Sequence, residues 1–247
     1  MIQNAPIPNP SFIPKLSVVR SNICLRDHID RKKYFLSCKR VFDIIFSLVF
    51  IVAILSWLLP LLCILIRLSS KGPVFFLQKR VGFGGRSFTC YKLRTMIVNS
   101  DADLVQAAEN DQRVTKLGWF LRKSNMDEFP QFLNVLLGDM SIIGPRPHMY
   151  ADCRNFSALL PGYKFRNMVR PGLTGLAQVK GYHGPTTTRN CVLMRYHWDH
   201  YYIRNIGWLL DTKIILLTIW QRCWAVLRFL LERSSSKLQQ ENKIMAG

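Results

Sequence analysis

The stretch Ile44–Ile66, IIFSLVFIVAILSWLLPLLCILI, decides what kind of fold this chain adopts. It runs for 23 residues without a charge. At about 1.5 Å per residue, that reaches across a hydrocarbon core about 30 Å thick. Lys39 and Arg40 precede it, and Arg67 and Lys71 follow it. Positive flanks favour the cytoplasmic side, so both ends ask for the same side. Pro60 lies inside and lacks a backbone donor, which bends or breaks a helix there. The Ser56 hydroxyl is placed to help satisfy the freed carbonyls. Two arrangements meet these constraints: a re-entrant helix broken around Ser56 and Pro60, or one spanning helix with a proline kink. Asp43, at the near end, is expected to pair with a basic neighbour at head-group depth. The stretch starts too far in and is too long to be a signal peptide.

The rest of the composition agrees with a membrane surface. The 247 residues carry 34 Lys and Arg against 15 Asp and Glu, a net charge of +19, yet 49% are hydrophobic. A basic surplus implies anionic partners: nucleic acid, lipid head groups or phosphorylated small molecules. High apolar content argues against a soluble nucleic-acid binder. The seven cysteines are odd in number and form no CxxC or Cys/His pattern. Reduced thiols are expected, and no zinc site.

Working outward, residues 1–38 read as a partly mobile extension, with four prolines in MIQNAPIPNPSFIPK. Within it, Arg26–Arg40 fits a helix lying on anionic lipid. Residues 39–70 form the membrane-inserted helix, 71–231 a cytosolic domain, and 232–247 a polar tail. Gly72–Tyr91 reads as strands with a turn at Gly82–Gly85, and that glycine cluster is followed by no Walker lysine. Asp101–Asn110 and Leu117–Leu137 read as helical. Pro171–Gly175 reads as a turn with conformational freedom at both glycines. Ile206–Leu231 is apolar but interrupted by Asp211, Lys213, Arg222 and Arg228, as in an interfacial amphipathic helix. The expected class is α+β, mainly helical.

Leu121–Pro147, LRKSNMDEFPQFLNVLLGDMSIIGPRP, carries the chemistry. Adjacent carboxylates, Asp127 and Glu128, repel unless something positive shares them. Arg122, Lys123 and Arg146 flank them, so phosphate chemistry is indicated. Ser124–Asp127 fits a helix N-terminal capping pattern, with Gly138 as the stop. On one view Asp127 merely caps that helix. On the other, the helix N-terminus attracts phosphate and Asp127 attacks phosphorus. Glu128 would then hold Mg²⁺ or handle a proton. Arg146, stiffened between Pro145 and Pro147, is either a phosphate ligand or a turn residue. Lys79, Arg80, Lys92, Arg94, Arg113 and Arg170 are singly plain surface charges. As a set they line one anionic cleft, and Lys92, Arg94, Arg122, Arg146 and Arg170 are its candidate phosphate ligands.

The chain resembles the bacterial sugar transferases, the monotopic phosphoglycosyl transferases. The likeness rests on KRVFD at 39–43, KGPVFFLQKRVG at 71–82, YKLRTM at 91–96 and DQRVTKLGWFLRKSNMDEFPQFLNVLLGDMSIIGPRPHM at 111–149. It continues with VRPGLTGLAQVKGY at 169–182 and the elements around 199–211. The resemblance implies transfer of a sugar-1-phosphate from a UDP-sugar to undecaprenyl phosphate, the first membrane step of surface-glycan synthesis. It implies Asp127 as nucleophile with release of UMP, and Asp127 and Glu128 as the Mg²⁺ site. It also implies the re-entrant helix, a domain facing the cytoplasm at the bacterial inner membrane, contact with anionic lipids, no nucleic acid, and room for a homo-oligomer. Some relatives carry further domains upstream, and this chain reads as the catalytic unit alone. Two departures stand out. Ser56 is followed by Trp57, with the proline only at 60, and His183 stands where relatives often carry arginine. The competing functions are a glycosyltransferase that releases UDP and a polybasic adaptor.

Overall fold

The computed structural model describes residues 26–98, 111–160, 162–182, 184 and 188–225. Expectations for residues 1–25, Asp101–Asn110, His183 and the segment beyond 225 lie outside it.

Residues 26–31 are helical and lead into α1, Lys33–Phe50. A widened turn of π geometry follows at Ile51–Leu55, and then α2, Ser56–Ser69. Together Lys33–Ser69 make one helix of 37 residues, long and apolar enough to cross a membrane, with 22% of its most apolar window buried in the protein. The irregularity expected at Pro60 falls a turn earlier. There the Ser56 amide donates to the Ile51 carbonyl, five residues back. The Ser56 hydroxyl donates to the Val52 carbonyl at 2.6 Å, and the Trp57 indole donates to that of Ala53 at 2.9 Å. The helix then continues through Pro60. The carbonyl that a proline ring crowds is four residues back, here that of Ser56, on which the widened turn ends.

Both arms rest on the same domain. On α1, Lys39 pairs with Asp211 at 2.5 Å, and Arg40 donates to the carbonyls of Val135 and Leu136 at 2.6 and 2.9 Å. Asp43 is buried and accepts the Ile142 amide at 3.0 Å. Its partner is thus a backbone donor inside the protein rather than a basic neighbour, since Lys39 is taken by Asp211 and Arg40 by the carbonyls of Val135 and Leu136. On α2, Leu58, Leu62 and Ile66 pack with Leu93 and Leu121. Near the widened turn, Phe50 stacks on Phe132 at 3.9 Å and meets Phe129 edge-on at 5.2 Å. The outer sides stay bare: Val41, Ile45, Val49, Val52, Trp57, Ile64 and Leu68 are exposed.

The domain begins with a hairpin, β1 (Phe75–Val81) against β2 (Ser87–Leu93), in register from Phe75 opposite Leu93 to Val81 opposite Ser87. Its reversal at Phe83–Gly85 puts Gly84 at φ 65°. Next come α3 (Lys116–Ser124), capped by the Thr115 hydroxyl on the Gly118 amide, and α4 (Gln131–Leu137). Then β3 (Ser141–Ile143) runs parallel to β4 (Gly172–Thr174), with α5 (Tyr150–Leu159) between them in sequence. The turn expected at Pro171–Gly175 is therefore a strand. Its glycines serve close approach rather than freedom: a Cβ on Gly172 would lie 2.1 Å from the Gly144 amide nitrogen, and one on Gly175 would lie 2.2 Å from the Gly144 carbonyl. After α6 (Leu176–Val179) and α7 (Arg189–Arg204), a helix over 208–225, α8, returns to the core. Val135, Met140, Ile143, Tyr202, Ile203 and Ile214 form the centre of that core. The six described cysteines are free thiols.

Helix α3 crosses under the segment after β2 so closely that a Cβ on Gly118 would sit 1.9 Å from the Thr95 carbonyl oxygen. Gly118→Ala should cost about 2 kcal/mol or more by overpacking. A Gly184→Ala control, where nothing lies within 4 Å, should be neutral. Thermal melting in detergent checks both.

Candidate active site

Asn125 ends α3 in the left-handed region at φ 60°, alone among the described non-glycine residues in having positive φ. A single 3₁₀ turn, Met126–Glu128, follows, and α4 begins only after Pro130. Asp127 is therefore not at a helix N-terminus. The Glu128 and Phe129 amides are spent on the carbonyls of Asn125 and Met126, each at 3.2 Å. The chain turns here because Asn125 tolerates the left-handed conformation and Pro130 is preset for a first helical position. Gly138 does end α4, at φ 97°.

Side chains, rather than helix amides, supply the positive field. The Glu128 Oε1 receives Lys92 Nζ and Arg146 Nη2, both at 2.6 Å, and Oε2 receives Arg146 Nη1 at 3.2 Å. Lys92 comes from β2 and Arg146 from the chain leaving β3. Burial by itself would raise the Glu128 carboxyl, but Arg146 and Lys92 hold it well below the usual range. Asp127 differs. Its carboxylate accepts no hydrogen bond from the described residues, and burial, then Glu128 beside it, push its pKa up to about 6 against the pull of Lys92, Arg122 and Arg146. One carboxylate is locked as an anion while its neighbour stays uncommitted, which splits them by role.

The structure brings Asp127, Glu128, Lys92, Arg122 and Arg146 together, and sets Arg94 and Arg170 elsewhere. Arg122 donates to the Thr95 hydroxyl at 2.7 Å and faces the dyad electrostatically. Arg94 is buried and donates to the carbonyls of Ser70 and Lys71 at 2.6 and 2.9 Å, closing the end of α2. Arg170 donates to the Gly138 carbonyl at 2.9 Å, closing the end of α4. Their cationic heads suit helix C-termini, where unpaired carbonyls collect. Arg113 pairs with Asp111 at 2.6 Å.

Behind Arg146 lies a polar layer that the sequence did not single out. Arg166 donates to the Arg146 carbonyl at 2.6 Å and to Asp199 at 2.8 Å. His148 hydrogen-bonds Tyr163 and lies 3.2 Å from Arg195 Nη1. Burial, then Arg166 and Arg195, keep that imidazole neutral, well below its usual range. Arg195 also donates to the carbonyls of Tyr182 and Gly184 at 2.9 and 2.6 Å. Arg80 donates to the Pro147 carbonyl at 2.6 Å. From α8, Arg222 donates to Asn125 Oδ1 at 3.0 Å. The available signal was a lone Asp199 inside the aromatic run 195–205, four residues after Arg195.

Among the described residues no group of three or more His, Cys, Asp or Glu offers a closed metal cage. The dyad suits a different kind of metal binding. Mg²⁺ is commonly held by one or two carboxylates plus substrate phosphates. Asp127 is the open carboxylate, and three cations already surround the pair, so a divalent ion fits only together with an anionic substrate.

The profile of the bacterial sugar transferases matches residues 34–225. The chain is 43% identical over 184 residues to a UDP-glucose:undecaprenyl-phosphate glucose-1-phosphate transferase of Klebsiella pneumoniae, covering 74% of this chain and 39% of that one. It is 43% identical over 182 residues to a UDP-N-acetylgalactosamine-undecaprenyl-phosphate N-acetylgalactosaminephosphotransferase of Aeromonas hydrophila, covering 73% and 42%. It is 41% identical over 186 residues to the exopolysaccharide production protein PSS of Rhizobium leguminosarum bv. phaseoli, covering 73% and 92%. The chain thus spans about two fifths of the first two relatives and nearly all of the third. It belongs to the bacterial sugar transferase family.

The Glu128 cluster is two-thirds cation, so removing one cation should be felt. Arg146→Gln should destabilise by about 3 kcal/mol, the scale for a broken buried ion pair. The double variant Glu128→Gln/Arg146→Gln should lose less than the two singles summed, as measured by chemical unfolding in a double-mutant cycle.

Proposed function

We propose that this family member is a phosphoglycosyl transferase that moves a sugar-1-phosphate from a UDP-sugar to undecaprenyl phosphate and releases UMP. The observation that carries this is the uncommitted Asp127 carboxylate among Lys92, Arg122 and Arg146. Relatives named for UDP-sugar:undecaprenyl-phosphate transfer support it.

In the first step, an Asp127 oxygen attacks the phosphorus bearing the sugar. The bond from that phosphorus to the bridging pyrophosphate oxygen breaks, and UMP leaves with the electron pair. In the second step, a phosphate oxygen of the lipid attacks the same phosphorus and the Asp127 carboxylate departs. One pyrophosphate is lost and one formed, so the exchange is nearly balanced. The barrier is the approach of anions, and fixed cations lower it without reorganising. Glu128 contributes by fixing Lys92 and Arg146, and Arg166 fixes Arg146 from behind through its carbonyl. Mg²⁺, held by Asp127 and Glu128 with the donor's phosphate oxygens, would supply further charge neutralisation.

The 37-residue apolar helix would enter and leave the bacterial inner membrane by its cytoplasmic face. The anchoring of both arms on one domain, through Lys39 and Arg40 at one end and Ser70 at the other, supports that course. The bare apolar sides of this helix and of α8 would lie against anionic lipid, with basic residues adding roughly 1 kcal/mol each near the surface. The sugar-phosphate would then be joined to the lipid at head-group depth, as the opening step of a surface polysaccharide.

Asp127→Asn should abolish transfer while the protein still folds and binds vesicles. Wild type given radiolabelled UDP-sugar alone should take up label and release UMP, and release of UDP instead would point to a plain glycosyltransferase. Because Asp127 attacks only as the anion and its pKa is about 6, the first-step rate should be flat above neutrality. It should fall about tenfold per pH unit below that value. A single-turnover pH profile of label uptake checks this.

A further inference from the structure

Helix α8 joins the lipid-facing surface to the catalytic turn. Its inner side is seated on the domain: Ile214 is fully buried, the Thr218 hydroxyl meets that of Thr174 at 2.7 Å, and Gln221 donates to the Val179 carbonyl at 2.8 Å. Its outer side carries Leu216, Ile219, Trp220 and Trp224, all exposed. The two tryptophans stack at 6.1 Å. Tryptophans gather at the level of lipid head groups. Arg222 lies at the rim between these two sides, about 80° round the helix from Ile214 and about 100° from Gln221.

The cations around the dyad are committed differently. Lys92 and Arg146 are both spent on the Glu128 carboxylate. Arg122 holds a neutral hydroxyl, that of Thr95, beneath α3. Among the described residues Arg222 donates to the neutral Asn125 carboxamide at 3.0 Å, two residues before Asp127, and its charge lies in the field of Glu128 and Arg146. It is half-buried. A phosphate brings charge on both partners and oxygens that suit the planar fork of a guanidinium, which a single neutral amide oxygen does not.

We propose that Arg222 receives the phosphate of the lipid acceptor, presenting it to the phosphorus carried on Asp127. This rests on the transferase reading above. It separates the labour of the cations: Lys92 and Arg146 serve the carboxylate dyad, whereas Arg222, on the lipid-facing helix, serves the second substrate. A free anionic lipid head group offers the same phosphate chemistry, and the test separates the two.

The full-length protein is assayed by half-reaction in phosphatidylcholine vesicles, with and without phosphatidylglycerol, doped with undecaprenyl phosphate. Arg222→Gln should take up label from the UDP-sugar and release UMP at the wild-type rate. Its KM for undecaprenyl phosphate in the second half-reaction should rise about tenfold to a hundredfold in both vesicle types, the scale of one lost charged hydrogen bond. Arg222→Lys, which keeps the charge, should recover part of that rise. The proposal is overturned if Arg222→Gln slows label uptake as much as lipid transfer, because Arg222 is then a strut for the Asn125 turn. It is equally overturned if the acceptor KM is unchanged and only binding to phosphatidylglycerol vesicles falls. Failure of the underlying reading looks different: wild type itself takes up no label, and the proposal falls with it.

Discussion

Glu128, gripped by Lys92 from the hairpin and by Arg146 from the far side of β3, is the interaction on which the site depends. Two adjacent carboxylates in a half-buried turn are unstable company. Here one is saturated with cations and so relieves the other. The same bonds tie three separate pieces of chain, β2, the 3₁₀ turn and the segment after β3, to one point. Among the described residues Asp127 accepts no hydrogen bond, while its neighbour takes Lys92 and Arg146.

The second constraint is that the apolar helix is not an appendage. Phe50, at the edge of the widened turn, packs on Phe129 and Phe132, and Phe129 is the residue after Glu128. Lys39 and Asp211 close one end inside the core, and Arg94 closes the other on the carbonyls of Ser70 and Lys71. The helix and the catalytic turn are thus joined by aromatic contact and buried polar bonds.

Much of this was legible in the chain. The charge-free run from Ile44, the hairpin around Gly82–Gly85, the stop at Gly138 and the dyad with Arg146 all follow from local chemistry. What escaped depended on partners distant in sequence. Arg94 and Arg170 looked like phosphate ligands because a motif shows charge but not direction, and both point at helix ends. Asp127 looked like a helix cap because Ser124–Asp127 has the right residue types, whereas Asn125 first ends α3 in the left-handed region. Of the pair Ser56 and Pro60, the irregularity falls at Ser56, where its hydroxyl and the Trp57 indole satisfy carbonyls, while the helix runs on through Pro60. The layer of Arg166, Asp199, Tyr163 and His148 joins α7 to the chain around 146–148, which no spacing rule reveals.

The meeting of Gly144 with Gly172 and Gly175 is a contact of bare main chain, with the Gly144 amide on the Thr174 carbonyl at 2.9 Å and the Gly172 amide on that of Pro145 at 3.0 Å. Arg146 hangs directly from this junction. Its placement is therefore inherited from peptide geometry, which is the same whatever residues fill the interior. Size-conserving exchanges at apolar positions such as Ile142 and Val169 should therefore leave the guanidinium in place. The guanidinium thus takes its starting point from a glycine-to-glycine contact of main chain rather than from the packing of the interior.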